Sequence, residues 1–251
     1  FDTAFHQTMP DYAYLYALPY EVYEKYGVRR YGFHGTSHRY VSKRVCDFLG
    51  VDYTKQRIIT CHIGNGGSLA AVKYGQCVDT TMGLTPLEGI MMGTRSGDVD
   101  GGAITYLEKK LNLTPDEMSN YLNKKSGVLG VFGVSSDMRE LEAACDAGDK
   151  RAQLALQMYN YKIKKYIGAF SAAMGGVDII VFTAGVGENQ PSMRAGAVEG
   201  LEFLGVKIDP SINATLRGKE QVISTPDSKV KVVVIPTDEE LMIASDTLAL
   251  I

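Results

Sequence analysis

Arg57-Ile58-Ile59-Thr60-Cys61-His62-Ile63, then Gly64-Asn65-Gly66-Gly67, then Ser68-Leu69-Ala70-Ala71-Val72-Lys73 is the stretch on which the fold turns. Its first seven residues, apolar and β-branched, read as a buried strand. The glycine-dominated run reverses the chain, and 68–73 runs back as a second strand. Tyr74-Gly75 turns once more into 76–81, which completes a meander of three strands.

Outward from the meander the period becomes helical. Thr114-Pro115-Asp116-Glu117 is a capping box with proline in the first helical position. Over 149–174, Ala152, Leu156, Tyr159, Ile163, Ile167, Phe170 and Met174 recur at three- and four-residue steps. Gln153, Gln157, Asn160 and Lys164 line the opposite face, so this is one long amphipathic helix. Gly175-Gly176 stops it, and 177–183 and 229–235 read as two further buried strands. Thr237-Asp238-Glu239-Glu240 is expected to cap a final helix with Leu241, Ala244, Leu248 and Ile251 on one side. Upstream, Ser37 is expected to cap a helix that runs to about Phe48 and ends at Gly50. A meander, then helices, then strands alternating with helices specify an α/β domain with a mixed sheet and flanking helices.

The chain has 251 residues, enough for one large core, and 26 basic against 29 acidic side chains, a net charge of −3. That balance argues against nucleic acid or an anionic membrane as the main partner. Residues 166–187 lack Lys and Arg, but Asp178 and the Gly175-Gly176 break fit a helix end and a buried strand rather than a membrane span. Cys46, Cys61, Cys77 and Cys145 form no CxxC pair, which fits free thiols in a reducing, cytoplasmic compartment. No signal peptide pattern opens the chain, and its first residue, Phe1, reads as a cut through a longer protein. The 27 glycines, about 11% against ~7% in an average protein, concentrate in 64–102, 127–133 and 175–187. Such clusters mark tight turns or close approach to a ligand.

Four segments carry candidate chemistry. In His62-Ile63-Gly64-Asn65-Gly66-Gly67-Ser68, glycines between strands leave backbone N–H groups for an anion, and Asn65 and Ser68 add side-chain donors. A plain glycine-rich hairpin explains the same residues, and no GK[ST] makes it a Walker A loop. Thr183-Ala184-Gly185-Val186-Gly187-Glu188-Asn189 takes a strand through two spaced glycines towards a helix at Pro191, a phosphate-binding pattern or an ordinary tight turn. In Gly93-Thr94-Arg95-Ser96-Gly97-Asp98, small neighbours leave Arg95 free to clamp a carboxylate or phosphate. A pair between Arg95 and Asp98 or Asp100 competes with that and is slightly preferred on the residues alone. In Tyr31-Gly32-Phe33-His34-Gly35-Thr36-Ser37-His38, His34 suits a cleft, although a core or capping histidine fits as well. A zinc pair of His34 and His38 would need Gly35 and Thr36 in a helix, against Ser37 as its cap. Asp137-Met138-Arg139 and Glu239-Glu240 fit helix capping and first-turn charge.

Together these segments resemble the acetate kinase family. Arg30-Tyr31-Gly32-Phe33-His34-Gly35-Thr36-Ser37-His38 is similar to a highly specific signature of that family. Phe1-Asp2-Thr3-Ala4-Phe5-His6 with Pro10, 62–68, 93–102, 135–139, 185–189 and 236–241 follow in the family's order and spacing. The resemblance implies the actin, Hsp70 and sugar-kinase ATPase fold (ribonuclease H-like). Residues 1–236 would be its second domain, with 237–251 packed on a first domain that the chain lacks, together with roughly a third of the family's length. A chain without that third is expected to be inactive alone.

For the site, the resemblance implies a second phosphate loop of His62, Gly64, Asn65 and Gly66. It places Gly185, Val186, Gly187, Glu188 and Asn189 on the adenosine and its phosphates, with Asp137, Met138 and Arg139 on the nucleotide. Asp2 matches a catalytic aspartate, and His34 and Arg95 match the pair that stabilises the transition state. Glu239 matches a glutamate associated with Mg2+ (or Mn2+), with Glu240 as its neighbour, and Phe33 and Pro86 match the walls of a small acyl pocket. The implied reaction is reversible phosphoryl transfer between ATP and acetate, giving ADP and acetyl phosphate, in a cytoplasmic homodimer. Propionate kinases share these motifs; butyrate kinases are more distant, since the GFHGTSH run is not typical of them. A nucleotide-binding actin- or Hsp70-like module without catalysis is the reading from another class.

Overall fold

The computed structural model describes residues 2–250, so Phe1 of the first matching segment and Ile251 of the final helix's apolar side lie outside the described residues. Six strands form one mixed sheet: β1 (Arg57–Ile63), β2 (Gly67–Lys73), β3 (Gln76–Thr80), β4 (Ile179–Thr183), β5 (Gln221–Val222) and β6 (Lys231–Val234). Their order is β3-β2-β1-β4-β6-β5. The meander β1-β2-β3 is antiparallel, as its two tight turns require, whereas β4 joins β1 and β6 joins β4 in parallel. The short edge strand β5, antiparallel to β6, carries no signal in the sequence strong enough to have been expected.

Strand alternation sorts the core into two layers. Ile59, Cys61 and Ile63 of β1, Ile180 and Phe182 of β4, and Val232 and Val234 of β6 face one side. The Lys150–Met174 helix covers them with Tyr159, Ile163, Ile167 and Phe170, capped by Asp149 and stopped by Gly175 as its pattern foretold. Ile58, Ile179, Val181 and Val233 face the other side, against Val41, Val45 and Cys46 of the Gly35–Leu49 helix. Among the described residues no helix is long and apolar enough to cross a membrane. All four cysteines are free thiols.

Three boundaries differ from expectation for physical reasons. The Gly35–Leu49 helix starts two residues before Ser37, because His34 takes the N-cap position in a left-handed conformation with φ 57°. Ser37, one turn in, contacts His62 Nδ1 at 2.8 Å and Thr237 Oγ1 at 2.7 Å instead of capping. Residues 184–189 form a short helix, Ala184–Asn189, rather than a turn. The final helix, Glu239–Leu248, is capped by Asp238, whose carboxylate accepts from the Leu241 N–H, so Thr237 is not its cap. The box at Thr114 is complete in both directions.

Candidate functional site

The carboxyl ends of β1 and β4 lie side by side, with His62 in register with Thr183. This is where ligands of open parallel sheets gather. The turn after β1 is closed by the Gly64 N–H, which donates to Gly66 O at 3.0 Å. The N–H groups of Asn65 and Gly66 then have no acceptor among the described residues. The Gly93 N–H donates to Asn65 O at 3.1 Å and ties the turn to the loop that bears Arg95. Ser68, expected as an anion donor, is fully buried and turned inward between His34 and His38.

Beside this turn lies a cleft of about 300 Å³, lined by Gly64, Asn65, Gly93, Ser135, Ser136, Asp137, Met138, Tyr159 and Val186. Three segments that the sequence singled out, 62–68, 135–139 and 183–189, thus meet around one cavity. Asp137 does cap the Met138–Asp146 helix, and hydrogen bonds from the Arg139 side chain and N–H hold its carboxyl down to about 2. Arg139 itself is exposed and paired with Asp137, outside the lining.

Arg95 is not paired with Asp98 or Asp100. Asp98 accepts from the Gly89 N–H and the Tyr166 hydroxyl, and Asp100 caps the Gly101–Leu111 helix. Arg95 Nη1 donates to Pro86 O at 3.1 Å, and its Nε and Nη2 have no partner among the described residues. A backbone clamp holds the loop around it: the Ser126, Val128 and Leu129 N–H groups donate to Thr94 O, Met92 O and Gly93 O. Gly127 makes this possible, since a Cβ there would sit 2.7 Å from Arg95 O, and its φ of 63° is left-handed.

Arg95 and His34 converge on Gly66. A Cβ built on that glycine would stand 3.2 Å from Arg95 Nη1 and 3.9 Å from His34 Cε1, so only glycine leaves this corner open. His34 stacks on His62, with ring centroids 4.1 Å apart and 19° between planes. Burial pushes the His34 imidazole below its ordinary value; the Asp2 carboxylate opposes this and the Arg95 guanidinium adds to it. His62 is driven down to about 3 by burial and then by His34, and His6 to about 4 by burial. His38, fully buried, is pushed well below its ordinary value, chiefly by that burial. All four histidines of the chain therefore gather here, largely neutral at pH 7. Although Gly35 and Thr36 are helical after all, each His38 ring nitrogen already faces a hydroxyl, and no metal-binding group of three or more ligands exists among the described residues.

Asp2 reaches the site from the amino end. Its carbonyl accepts from the Gly35 N–H at 2.8 Å, and its charge raises the Glu239 carboxyl, after burial as the larger cause. Glu239 is half-buried and Glu240 exposed, so Glu239 is the one that faces Asp2. Phe33 is half-buried against the main core, and its carbonyl faces His6 Nε2 at 3.0 Å.

On the β4 side, Ala184 adopts φ 64°, a left-handed strain at the strand-to-helix junction. Gly187 packs onto β1, Asn189 Nδ2 donates to Gly185 O, and Glu188 accepts from the Thr237 N–H and the Thr183 hydroxyl. Fully buried Arg194 holds this short helix by donating to Gly187 O, Asn213 Oδ1 and Leu216 O. Nothing in the sequence around Arg194 signals that role. Thr60 carried no such signal on its own either, although Thr60 and His62 form a period-two polar stripe in an otherwise apolar strand, and that stripe is a usable signal.

The family model described as the Acetokinase family matches residues 1–245. An acetate kinase of Bacteroides thetaiotaomicron is 71% identical over 248 residues, covering 99% of this chain and 62% of its own length. The crystal structure of Porphyromonas gingivalis acetate kinase superposes with TM-score 0.98 at 61% identity, covering 99% of this chain and 62% of that one. A propionate kinase structure from Francisella tularensis follows with TM-score 0.91 at 42% identity, over 98% of this chain and 62% of its own. The chain thus spans about 62% of the length of these relatives. The α/β class expected from the sequence, a mixed sheet with flanking helices, is the one found, and it is shared with these kinases. With the profile matching nearly end to end and the motifs gathered around one cleft, the chain belongs to the acetokinase family.

Proposed function

We propose that the protein is an acetate kinase, transferring a phosphoryl group reversibly between ATP and acetate with Mg2+. The observation that carries this reading is the Arg95 guanidinium, free of any carboxylate partner among the described residues and held beside His34 at a phosphate-type turn. Acetate is already a nucleophile, so the reaction needs alignment and charge neutralisation rather than a strong base. Arg95 holds the carboxylate and then the equatorial oxygens of the migrating phosphoryl group, and His34 donates a hydrogen bond to it. The cleft lined by Asn65, Asp137 and Val186 takes the nucleotide, its phosphates at the unpaired N–H groups of Asn65 and Gly66. Phe33 and Pro86 bound the acyl group.

Asp2 and Glu239 fit a magnesium ion: they are two facing carboxylates, one raised by burial and by the other's charge. Mg2+ keeps several waters and takes one or two carboxylates besides phosphate oxygens. Bound there, it would neutralise charge on the nucleotide phosphates. We read no phosphoenzyme into this arrangement, since acetate can attack the phosphorus directly.

Free thiols support a cytoplasmic setting, and exposed Tyr12, Tyr20 and Tyr26 support a homodimer face. Exposed Leu241 and Leu248 support packing of the terminal segment on a further domain. Hydroxamate trapping on a chain of the relatives' length, with acetate, propionate and butyrate side by side, tests the reading. Acetate is expected to give the highest kcat/KM. A preference for propionate would make it a propionate kinase, and nucleotide binding without any acyl phosphate would make it a non-catalytic module.

A further inference from the structure

A chain of short polar contacts runs behind His34 into the sheet. His34 Nδ1 lies 2.9 Å from Ser68 Oγ, Ser68 Oγ lies 2.7 Å from His38 Nε2, and His38 Nδ1 lies 2.7 Å from Thr60 Oγ1. Ser68, His38 and Thr60 are each fully buried, so water cannot substitute for any link. A neutral imidazole has one donor and one acceptor nitrogen, and a hydroxyl has one hydrogen. Ser68 Oγ has no other acceptor among the described residues, so its hydrogen must go to one of the two imidazoles, and only two polarities use every hydrogen: all donors pointing towards His34 Nε2 or all pointing away.

Thr60 decides between them. Pointing away, its hydrogen would have to reach Ala70 O at 3.4 Å, a poor bond; pointing towards the site, it reaches His38 Nδ1 at 2.7 Å. With the Thr60 hydroxyl donating to His38 Nδ1, His38 carries its proton on Nε2 and donates to Ser68. Ser68 then donates to His34 Nδ1, which leaves the His34 proton on Nε2. That nitrogen has no partner among the described residues. We propose that Thr60, His38 and Ser68 are positioning residues that hold His34 as the Nε2–H tautomer, a neutral hydrogen-bond donor presented to the transferring phosphoryl group. The recipient of that bond rests on the proposed function; the tautomer does not.

The test uses the protein labelled with 15N in its histidine rings, where four histidines give separable ring-nitrogen correlations, each assigned by single substitution. The expected result is the Nε2–H tautomer at both His34 and His38 in the unsubstituted protein. The Nδ1–H tautomer at either one overturns the proposal, whatever the variants do. In Ser68→Ala and Thr60→Val, His34 is expected to become a tautomer mixture. In both variants kcat for acetyl hydroxamate is expected to fall about tenfold, with both KM values within about twofold, the lower range for partners that orient a reacting group. An unchanged His34 tautomer in Ser68→Ala overturns it as well. If the unsubstituted protein at the relatives' chain length forms no acyl phosphate, the phosphoryl-transfer reading fails while the tautomer result stands by itself.

Discussion

The two faces of β1 do different work with one alternating strand. Ile59, Cys61 and Ile63 enter a dry layer against the Lys150–Met174 helix, where shape and volume are the only constraints. Thr60 and His62, one residue out of phase, point at the Gly35–Leu49 helix and meet His38 and Ser37. Ile58 restores an apolar contact at the start of the strand, so the polar stripe occupies only its carboxyl end. Stability yields here to polar placement: four imidazoles are kept close and largely neutral at the end of the sheet that borders the cleft.

Acid should break the polar face first. A histidine whose folded pKa lies below its unfolded value binds fewer protons when folded, so its stabilising effect is complete above about pH 6.5 and declines as pH falls towards the folded value. For His6 the decline runs down to about 4 and for His62 to about 3, with His38 acting in the same direction. Together they set an upper limit of about 4 kcal/mol lost per pH unit below 6.5, at about 1.4 kcal/mol per group. Asp137 and Asp227, held to about 2, act only at lower pH, whereas Asp79 and Glu239, raised by burial, act in the opposite sense, so a net loss of stability from pH 6.5 to 5 reports the histidines. Urea midpoints across that interval check the slope, and a flat profile would refute the neutral cluster.

On the dry face, Ile59→Ala removes a fully buried side chain and should cost about 2–5 kcal/mol in urea unfolding. The kcat per folded molecule should stay unchanged. A loss of turnover larger than the loss of folded protein would show that the two faces are not separable. The smallest stability change belongs to Thr60→Val, which keeps the shape but strands one buried acceptor, at about 1–3 kcal/mol. Calorimetry on this pair of neighbours, Ile59 and Thr60, then compares the two faces within one strand.

What could be read without coordinates follows from the same division. The meander, the Thr114 box and the 149–174 helix were legible because local pattern and global packing agree there. Ser37 misled because a residue type that caps helices was recruited by His62 and Thr237 across 25 and 200 residues of sequence. Gly185 and Gly187 looked like a turn because two glycines weaken a helix, yet the segment is helical and Gly187 lies against β1. Asp98 looked like a partner for Arg95 until Gly89 and Tyr166 claimed its oxygens. Single residues on the cleft were recognisable through family motifs. The hydrogen-bonded chain behind them, assembled from three separate elements, was not.

On the proposed function, the carboxyl end of β1 carries phosphoryl transfer through Arg95 and His34. The most direct measurement is hydroxamate turnover of Arg95→Ala and His34→Ala at the relatives' chain length, with thermal unfolding recorded on the same samples. Each should lose a factor of roughly 10²–10³ in kcat, while Arg95→Ala, whose side chain is not part of the core, keeps its unfolding temperature. Full activity with unchanged acetate dependence in both variants would contradict the account.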